Sequence, residues 1–504
     1  MREPYYEPLS VLDQTFLAFE TPNAYMHVAA TVLIDGARLR GPDGAPDLQL
    51  LKAYVASRLP LIPAYRRCLA SIPFESRPVW VDDHKFHIDN HIKMSTLPPP
   101  GGPRQLQRRC EELLERPLNR HRPLWEIWVI DGLERGRITL LCKVHHCMVD
   151  GLSGVALLTA LFQLSPERTI PQAGRWMPRP VPTGAELVRD EIRRRVRRSM
   201  ALLSSLPALL REPTDTARQA RERFGGLVGF LRSGLQPRMD TPMNAPIGPH
   251  RRVAFADCSL ADVKAIKAVL GGTVNDVVLA TVSGAVRRLL ERRGGTPQQG
   301  AFRVAVPVNT RDVADRGSSL GNHVWAWIVN LPVREADPVH ALQLIVEETR
   351  SLKQTTQASS GEILTEAVEW TSARLIPLGA RLISRAQPSL IVTNVPGPPM
   401  PLFVLDAVVE AIYPHVPLFE QQGLGIALFS YSNQLFWGLT GDWDLLADID
   451  EVADDIRACF RQLLAAAHAA TPASAVARSL RQARRPSRQR PGPVASTLVR
   501  LAVD

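Results

Sequence analysis

Hydrophobic and polar positions divide the chain into two stretches of mixed α/β character separated by one of a different kind. Before Pro166, the runs Leu124 to Asp131 (LWEIWVID) and Ile138 to Val144 (ITLLCKV) are short, β-rich and apolar, with Gly132 and Gly136 between them. Such runs predict a hairpin, and the second run predicts a strand buried on both faces. After Gly151 the pattern becomes LSGVALLTALFQL, whose apolar residues recur every three to four positions. That period predicts a helix, which Asp150 or Ser153 can cap. From Arg251 to about His468, strand-like runs (FRVAVPV, WAWIVNLPV, LIVTNV, GIALFSYS, QLFWGL) alternate with helical ones such as DVVLATVSGAVRRLLERR. Between the two stretches, prolines cluster over 166–182, followed by the helical, arginine-rich ELVRDEIRRRVRRSMALL and a Gly/Pro-rich segment. This middle part reads as a long crossover and linker, not a third core.

Length sharpens the division. At 504 residues the chain exceeds one ordinary hydrophobic core, so two domains are expected. The boundaries expected are an N-terminal domain over 1–166, a linker over 167–247, a C-terminal domain over 248–470 and a basic disordered tail over 471–504. With 45% hydrophobic and 22% charged residues, the composition is that of a globular protein. No apolar stretch reaches the ~18 to 20 residues of a spanning helix; the longest candidate, Met200 to Leu210, is interrupted by Ser204, Ser205 and Pro207. The opening MREPYYEPLSVLDQTF has no basic segment followed by an apolar one, so no secretory signal is expected. The six cysteines are scattered without CxxC spacing and are expected as free thiols in a cytoplasmic protein. The net charge of +10 favours acidic partners: nucleic acid, anionic lipid or a phosphorylated cofactor. No zinc-finger spacing, RNP-like strand or recognisable reading motif is present, which weighs against nucleic acid.

The chemistry concentrates in His145-His146-Cys147-Met148-Val149-Asp150-Gly151. The string falls at a strand end, in the turn before a helix, where reactive side chains project into a cleft. An imidazole there can take a proton from an alcohol and return it to a leaving thiolate. Asp150 can fold back within the turn or pair with a distant arginine, and Gly151 permits a sharp turn. A purely structural histidine pair is the plain alternative. Metal binding is opposed by geometry, since adjacent histidines do not readily face one ion and no third ligand stands out. No metal and no bound cofactor are expected.

The HHxxxDG string is similar to that of the chloramphenicol acetyltransferase-like superfamily, which includes condensation domains and plant acyltransferases. Further landmarks resemble the bacterial wax ester synthase/diacylglycerol acyltransferase family: LSVLDQTFLAFETPNAYMHVAA at the start, Pro123-Leu124-Trp125-Glu126 upstream of the histidines, and TPMNAPIGPHRR over 241–252. Thr273-Val274-Asn275-Asp276, Pro307-Val308-Asn309-Thr310-Arg311 with Gly321-Asn322, and Asn394-Val395-Pro396-Gly397-Pro398 complete the set. Their order holds over roughly residues 5 to 465.

The resemblance implies an α/β fold of two chloramphenicol acetyltransferase-like domains, a helical crossover and an active-site tunnel between the domains. It implies acyl-CoA as a substrate and diacylglycerol or a long-chain alcohol as acceptor, with His146 as general base and His145 as a positioning residue. Asp150 would fix the loop. Asn275 would donate to an oxyanion or organise the site, although Asn275 and Asp276 equally suit the cap of the following helix. Pro123, Leu124 and Trp125 would line the tunnel or simply pack, and Gly151 and Asp276 are further candidates for substrate contact. Two other functions stay open: a carrier-protein-dependent acyltransferase, and a non-catalytic neutral-lipid-binding protein on the same fold. The arginines of 186–212 beside MALLSSLPALL suit either a solvated connector or peripheral contact with an anionic membrane or lipid droplet.

Overall fold

The structure is a computed structural model that describes residues 6–73, 78–149, 161–171, 174, 176–211, 238–295, 299–309, 324–358 and 388–470. The first part of the chain forms β1 (Glu7–Pro8), α1 (Val11–Phe19), β2 (His27–Ile34), α2 (Leu48–Arg58), β3 (Arg67–Ser71), β4 (Pro78–Asp82) and β5 (Ile92–Thr96). It continues through α3 (Pro103–Leu114), β6 (Trp125–Asp131) and β7 (Ile138–His145) to the crossover helix α4 (Gly184–Arg211). The second part runs β8 (Arg251–Ser259), α5 (Leu260–Leu270), α6 (Val274–Arg292), β9 (Phe302–Asn309), β10 (Val324–Leu331) and α7 (Pro338–Ala358). It ends with β11 (Leu390–Pro396), β12 (Phe403–Val404), β13 (Ala407–His415), β14 (Leu424–Tyr431), β15 (Gln434–Asp442) and α8 (Ile449–Ala470).

These strands build two mixed six-stranded sheets, ordered β12-β13-β2-β7-β6-β5 and β10-β9-β11-β14-β15-β8. The hairpin read from LWEIWVID and ITLLCKV is the antiparallel β6–β7 pair. Gly132 adopts φ +84° at its turn, and a Cβ there would lie 2.9 Å from the carbonyl oxygen of Leu97, so glycine is required. Seven of the eight β7 residues are buried, because α3 covers one face of the first sheet through Leu106, Cys110 and Leu113 and the larger first core covers the other. The second sheet packs its own core against α5, α6, α7 and α8.

The sheets do not divide the chain where the sequence suggested. β12 and β13 lie within 248–470, yet β13 pairs antiparallel with β2 in the first sheet. The hairpin closes an edge that β2 would otherwise expose, and Thr31 Oγ1 lies 2.8 Å from His415 Nε2 across the joint. The crossover is likewise more than a connector. Leu187 of α4 is buried with Tyr6, Ile72, Val79 and Val81 on a small sheet ordered β1-β4-β3. Arg179 donates to Asp82 from its backbone N–H, Nε and Nη2 at 2.9 to 3.1 Å.

The two sheets meet through α3. β8 is the edge strand of the second sheet, and Val253 N–H donates to Glu111 Oε1 at 3.1 Å while Gln107 Nε2 donates to Val253 O at 3.3 Å. Trp443 receives Arg252 at 3.7 Å and Arg108 at 4.5 Å from its ring centroid. Gly438 of β15 approaches Pro414 of β13 so closely that a Cβ would lie 1.7 Å from the Pro414 carbonyl oxygen. Gly438→Ala is therefore expected to push the sheets apart and reduce stability by about 1–3 kcal/mol, seen as a lower urea midpoint. An unchanged midpoint would show that the joint yields without cost.

Candidate active site

The site begins with one strand pairing. β2 runs antiparallel to β7 in unbroken register from His27↔His145 to Ile34↔Ile138. β7 ends at His145, and the chain enters a short 3-10 turn over His146–Met148. His145 caps that turn: its Nδ1 accepts from the Cys147 N–H at 3.1 Å. The backbone N–H of His146 donates to Met26 O at 2.8 Å, tying the turn to the residue before β2. Helix α1, capped by Ser10 accepting from the Asp13 N–H, lies over the turn. Its Phe16 ring stacks on the His146 imidazole at a centroid distance of 3.7 Å and an interplanar angle of 22°. His145 is buried and His146 half-buried.

Desolvation dominates the electrostatics. Burial pulls His146 down to about 4; its own backbone carbonyl opposes this without closing a hydrogen bond, since Nδ1 is buried with no partner among the described residues. Burial, then Arg120 and His146, bring His145 down to about 3. Both rings are therefore neutral at pH 7, the protonation state a general base needs. Cys147 sits 2.9 Å from His145 Nδ1, but burial and the nearby Asp13 and Glu20 carboxylates raise its thiol well above the usual value. A thiol held protonated is not a nucleophile.

Asp150 and Gly151 lie outside the described residues, as do most of the helix expected after them and the landmarks Thr310, Arg311, Gly321 and Asn322. Pro123, Leu124 and Trp125 are buried, and they support β7 from below: Leu124 O accepts the His145 N–H at 2.9 Å. Trp125 Nε1 donates to Tyr65 O at 2.8 Å and the ring stacks on His91 at 4.4 Å. The void beside Trp125 is about 20 Å³, room for about one water and not for an acyl chain. In these contacts the run packs.

Asp276 takes the cap position that its place before the helix also suited. It is 3% exposed and forms a capping box with Thr273 at the start of α6, while its Oδ1 accepts from Thr349 Oγ1 of α7 at 2.8 Å. A carboxylate enclosed in this way joins two helices. Asn275 is exposed, and its Oδ1 accepts from Asn394 Nδ2 at 2.7 Å. The structure thus brings together two landmarks 119 positions apart and leaves the Asn275 amide nitrogen as its donor group.

A cavity of about 360 Å³ opens between the two halves, lined by Leu33, Arg137, Phe255, Tyr413 and Arg457 among others. Its lining runs from Arg137 beside the start of β7 to Tyr413, which lies across β2 from Leu141. None of the described residues of the histidine turn lines it. The sequence reading did not single out Phe16, Glu20 or His27. All three lie in the opening LSVLDQTFLAFETPNAYMHVAA, where alternation in HVAATVLI hints at a strand. Only the β2–β7 register places His27 beside His145.

The fold is that of two-sheet proteins of the condensation-domain type, and this chain carries a histidine pair at a strand end. The starter condensation domain of rhizomide synthetase superposes with a TM-score of 0.56 at 12% identity, over 92% of this chain and 95% of that one. The wax ester synthase/diacylglycerol acyltransferase of Marinobacter aquaeolei VT8 superposes with a TM-score of 0.65 at 25% identity, over 92% of this chain and all of that one. The wax ester synthase/diacylglycerol acyltransferase catalytic domain matches residues 9–278, and the C-terminal domain of the same family matches residues 320–464. A Mycobacterium tuberculosis H37Rv protein named "Probable diacyglycerol O-acyltransferase tgs1" is 31% identical over 464 residues, covering 91% of this chain and 96% of its own. The chain belongs to the wax ester synthase/diacylglycerol acyltransferase family.

Buried neutral histidines carry a pH signature. Burial holds His145 and His415 each at about 3 in the folded protein, against about 6.5 when unfolded. Their depressed values leave stability intact above pH 6.5 and erode it as pH falls from there toward 3. Between pH 7 and pH 5 each is expected to remove about 2 kcal/mol of unfolding free energy. His415→Gln, which can still pair with Thr31, should flatten that slope in denaturant titrations at the two pH values. An identical slope would sink this account.

Proposed function

We propose that this protein transfers a long-chain acyl group from acyl-CoA to diacylglycerol, releasing CoA and triacylglycerol, and that long-chain alcohols enter the same site to give wax esters. The observation that carries the reading is His146: a neutral, half-buried imidazole at the end of β7 in a chain of this family. His146 removes the hydroxyl proton as the alcohol oxygen bonds to the thioester carbonyl carbon. The tetrahedral intermediate then collapses, the C–S bond breaks, and the proton passes from His146 to the thiolate to give free CoA. No acyl-enzyme forms. The Asn275 amide, oriented by Asn394, is a candidate donor to the intermediate's oxyanion, an interaction whose loss costs ~3 kcal/mol in other acyl transfers. Enclosure of both reactants supplies proximity.

The direct test is thiol release from palmitoyl-CoA by the purified protein, with dioleoylglycerol and with hexadecanol as acceptors. Turnover with the diglyceride is expected, and His146→Ala should lose roughly 10²–10⁴-fold. Faster release with hexadecanol would make wax ester synthesis the principal activity. Release no higher than in the variant for both acceptors would overturn the reading.

The acceptors partition into lipid, and α4 offers a surface for it. Ile192, Val196 and Met200 are 57%, 48% and 63% exposed at successive turns, alongside Arg189 and Arg193 on the solvent side. An apolar stripe flanked by arginines suits peripheral attachment to anionic lipid on the cytoplasmic side of a membrane or at a droplet. Among the described residues, no single helix is long and apolar enough to span a membrane. Replacing Arg189, Arg193 and Arg197 with Gln should weaken co-sedimentation with phosphatidylglycerol vesicles by about 3 kcal/mol in all, near 1 kcal/mol per arginine. Unaltered sedimentation would remove α4 from the interface.

A further inference from the structure

Behind the histidine pair lies a polar cluster, buried at its two imidazoles and open at Arg120, that the acyl-transfer chemistry above does not use. Glu20, the residue that ends α1, places one carboxylate oxygen, Oε1, 3.7 Å from His145 Nε2 and 3.8 Å from His27 Nε2. Its other oxygen, Oε2, pairs with Arg120. His145 and His27 are 1% and 6% exposed. His145 Nε2 and both ring nitrogens of His27 have no hydrogen-bond partner among the described residues. Tyr25 stacks on the outer face of His27 at 5.4 Å. Three buried imidazole nitrogens without partners are costly unless some group faces them, and the group facing two of them is this carboxylate.

The geometry settles which proton His145 carries. Its Nδ1 accepts from the Cys147 N–H, so in the neutral ring the hydrogen is on Nε2, the nitrogen directed at Glu20. We infer that Glu20, pinned by Arg120, is a positioning residue for the reactive turn. It holds His145 in the Nε2–H form, which keeps Nδ1 free to cap the turn that presents His146. The charged and titratable groups around the cluster agree with a neutral pair of rings. Arg120 and His146 act on His145. Lys143, His145, Arg120 and Arg251 act on His27, and all of them disfavour a second positive charge. Among the described residues, Glu20 is the one carboxylate within 4 Å of both rings, and its ion pair with Arg120 offsets its charge. The role is indirect: Glu20 touches no reacting atom, and it acts on His146 through His145 and the backbone of the turn.

This inference rests on the reading of His146 as the base, so the test separates the two. In the thiol-release assay, Glu20→Ala is expected to lower kcat roughly tenfold or more, short of the full contribution of a general base. The KM for palmitoyl-CoA and for dioleoylglycerol should stay within about twofold, since uniform substrate binding is untouched. Added formate should restore part of the rate in Glu20→Ala and none in His146→Ala. A merely structural role for Glu20 would lower the melting temperature and raise KM with no formate response. Wild-type turnover together with an unchanged kcat in Glu20→Ala would overturn the positioning role and leave His146 as base. If the wild-type protein itself releases no thiol, histidine ¹⁵N spectra decide the matter without activity. A His145 resonance set of the Nε2–H tautomer that becomes mixed in Glu20→Ala supports the inference, and an unchanged tautomer overturns it.

Discussion

One strand pairing determines where everything else in this protein can sit. β2 and β7 share eight register positions without a bulge, from His27↔His145 to Ile34↔Ile138, and β7 is buried on both faces. In a sheet with side-chain period two, a slip of one residue would exchange the faces of the whole strand. Leu141 would leave the core under α3, and the fully buried Lys143 would lose the carbonyls of Leu113 and Arg116 to which its ammonium donates. The register therefore has no near-isoenergetic neighbour. With it fixed, His145 must end the strand inside the protein, and His146 must take the next position, where Met26 O receives its N–H.

The same pairing makes the two halves interdependent. β13 comes from late in the chain and completes the first sheet beside β2, so that sheet forms fully only after more than 400 residues are available. The second sheet in turn has its edge strand β8 hydrogen-bonded by Gln107 and Glu111 of α3. Arg251, itself buried, donates to Gly248 O, to His250 O and to Asn23 O. That reaches from the second half to the loop that leads into β2. Each half thus satisfies backbone groups that the other would leave unpaired, and buried unpaired groups cost more than most packing contacts return. Relative movement of the halves would break these bonds together, which favours a stiff frame around the histidine turn.

Burial in that frame tunes the site. The imidazoles of His145, His146 and His415 all lie far below their ordinary value because charge cannot be solvated there. Positive groups reinforce this at His145 and His27 through Arg120. The turn is consequently populated by neutral donors and acceptors whose tautomers matter, and tautomers are set by neighbours. Phe16 on one side of His146 and Glu20 behind His145 both come from α1 and its end, so this short helix frames the histidine turn.

Much of this was written in local pattern. The runs LWEIWVID and ITLLCKV, the strands after residue 300 and the helix after Thr273 follow from periodicity and caps, because their hydrogen bonds and apolar faces are local properties. The histidine pair could be placed at a strand end from the apolar run before it, and its landmarks pointed to the family. Tertiary structure alone decided that the Asp276 carboxylate of the helix cap also meets Thr349 of α7 and that Trp125 packs in a nearly void-free core. A short polar or aromatic motif reads the same whether it faces a ligand or a neighbouring helix. It also decided that Phe403–His415 crosses into the first sheet, and that Glu20, His27 and Arg120 converge on His145. Those contacts join residues up to several hundred positions apart. Sequence encodes them only through the summed burial and hydrogen-bonding demands of the whole chain, which no local period reveals.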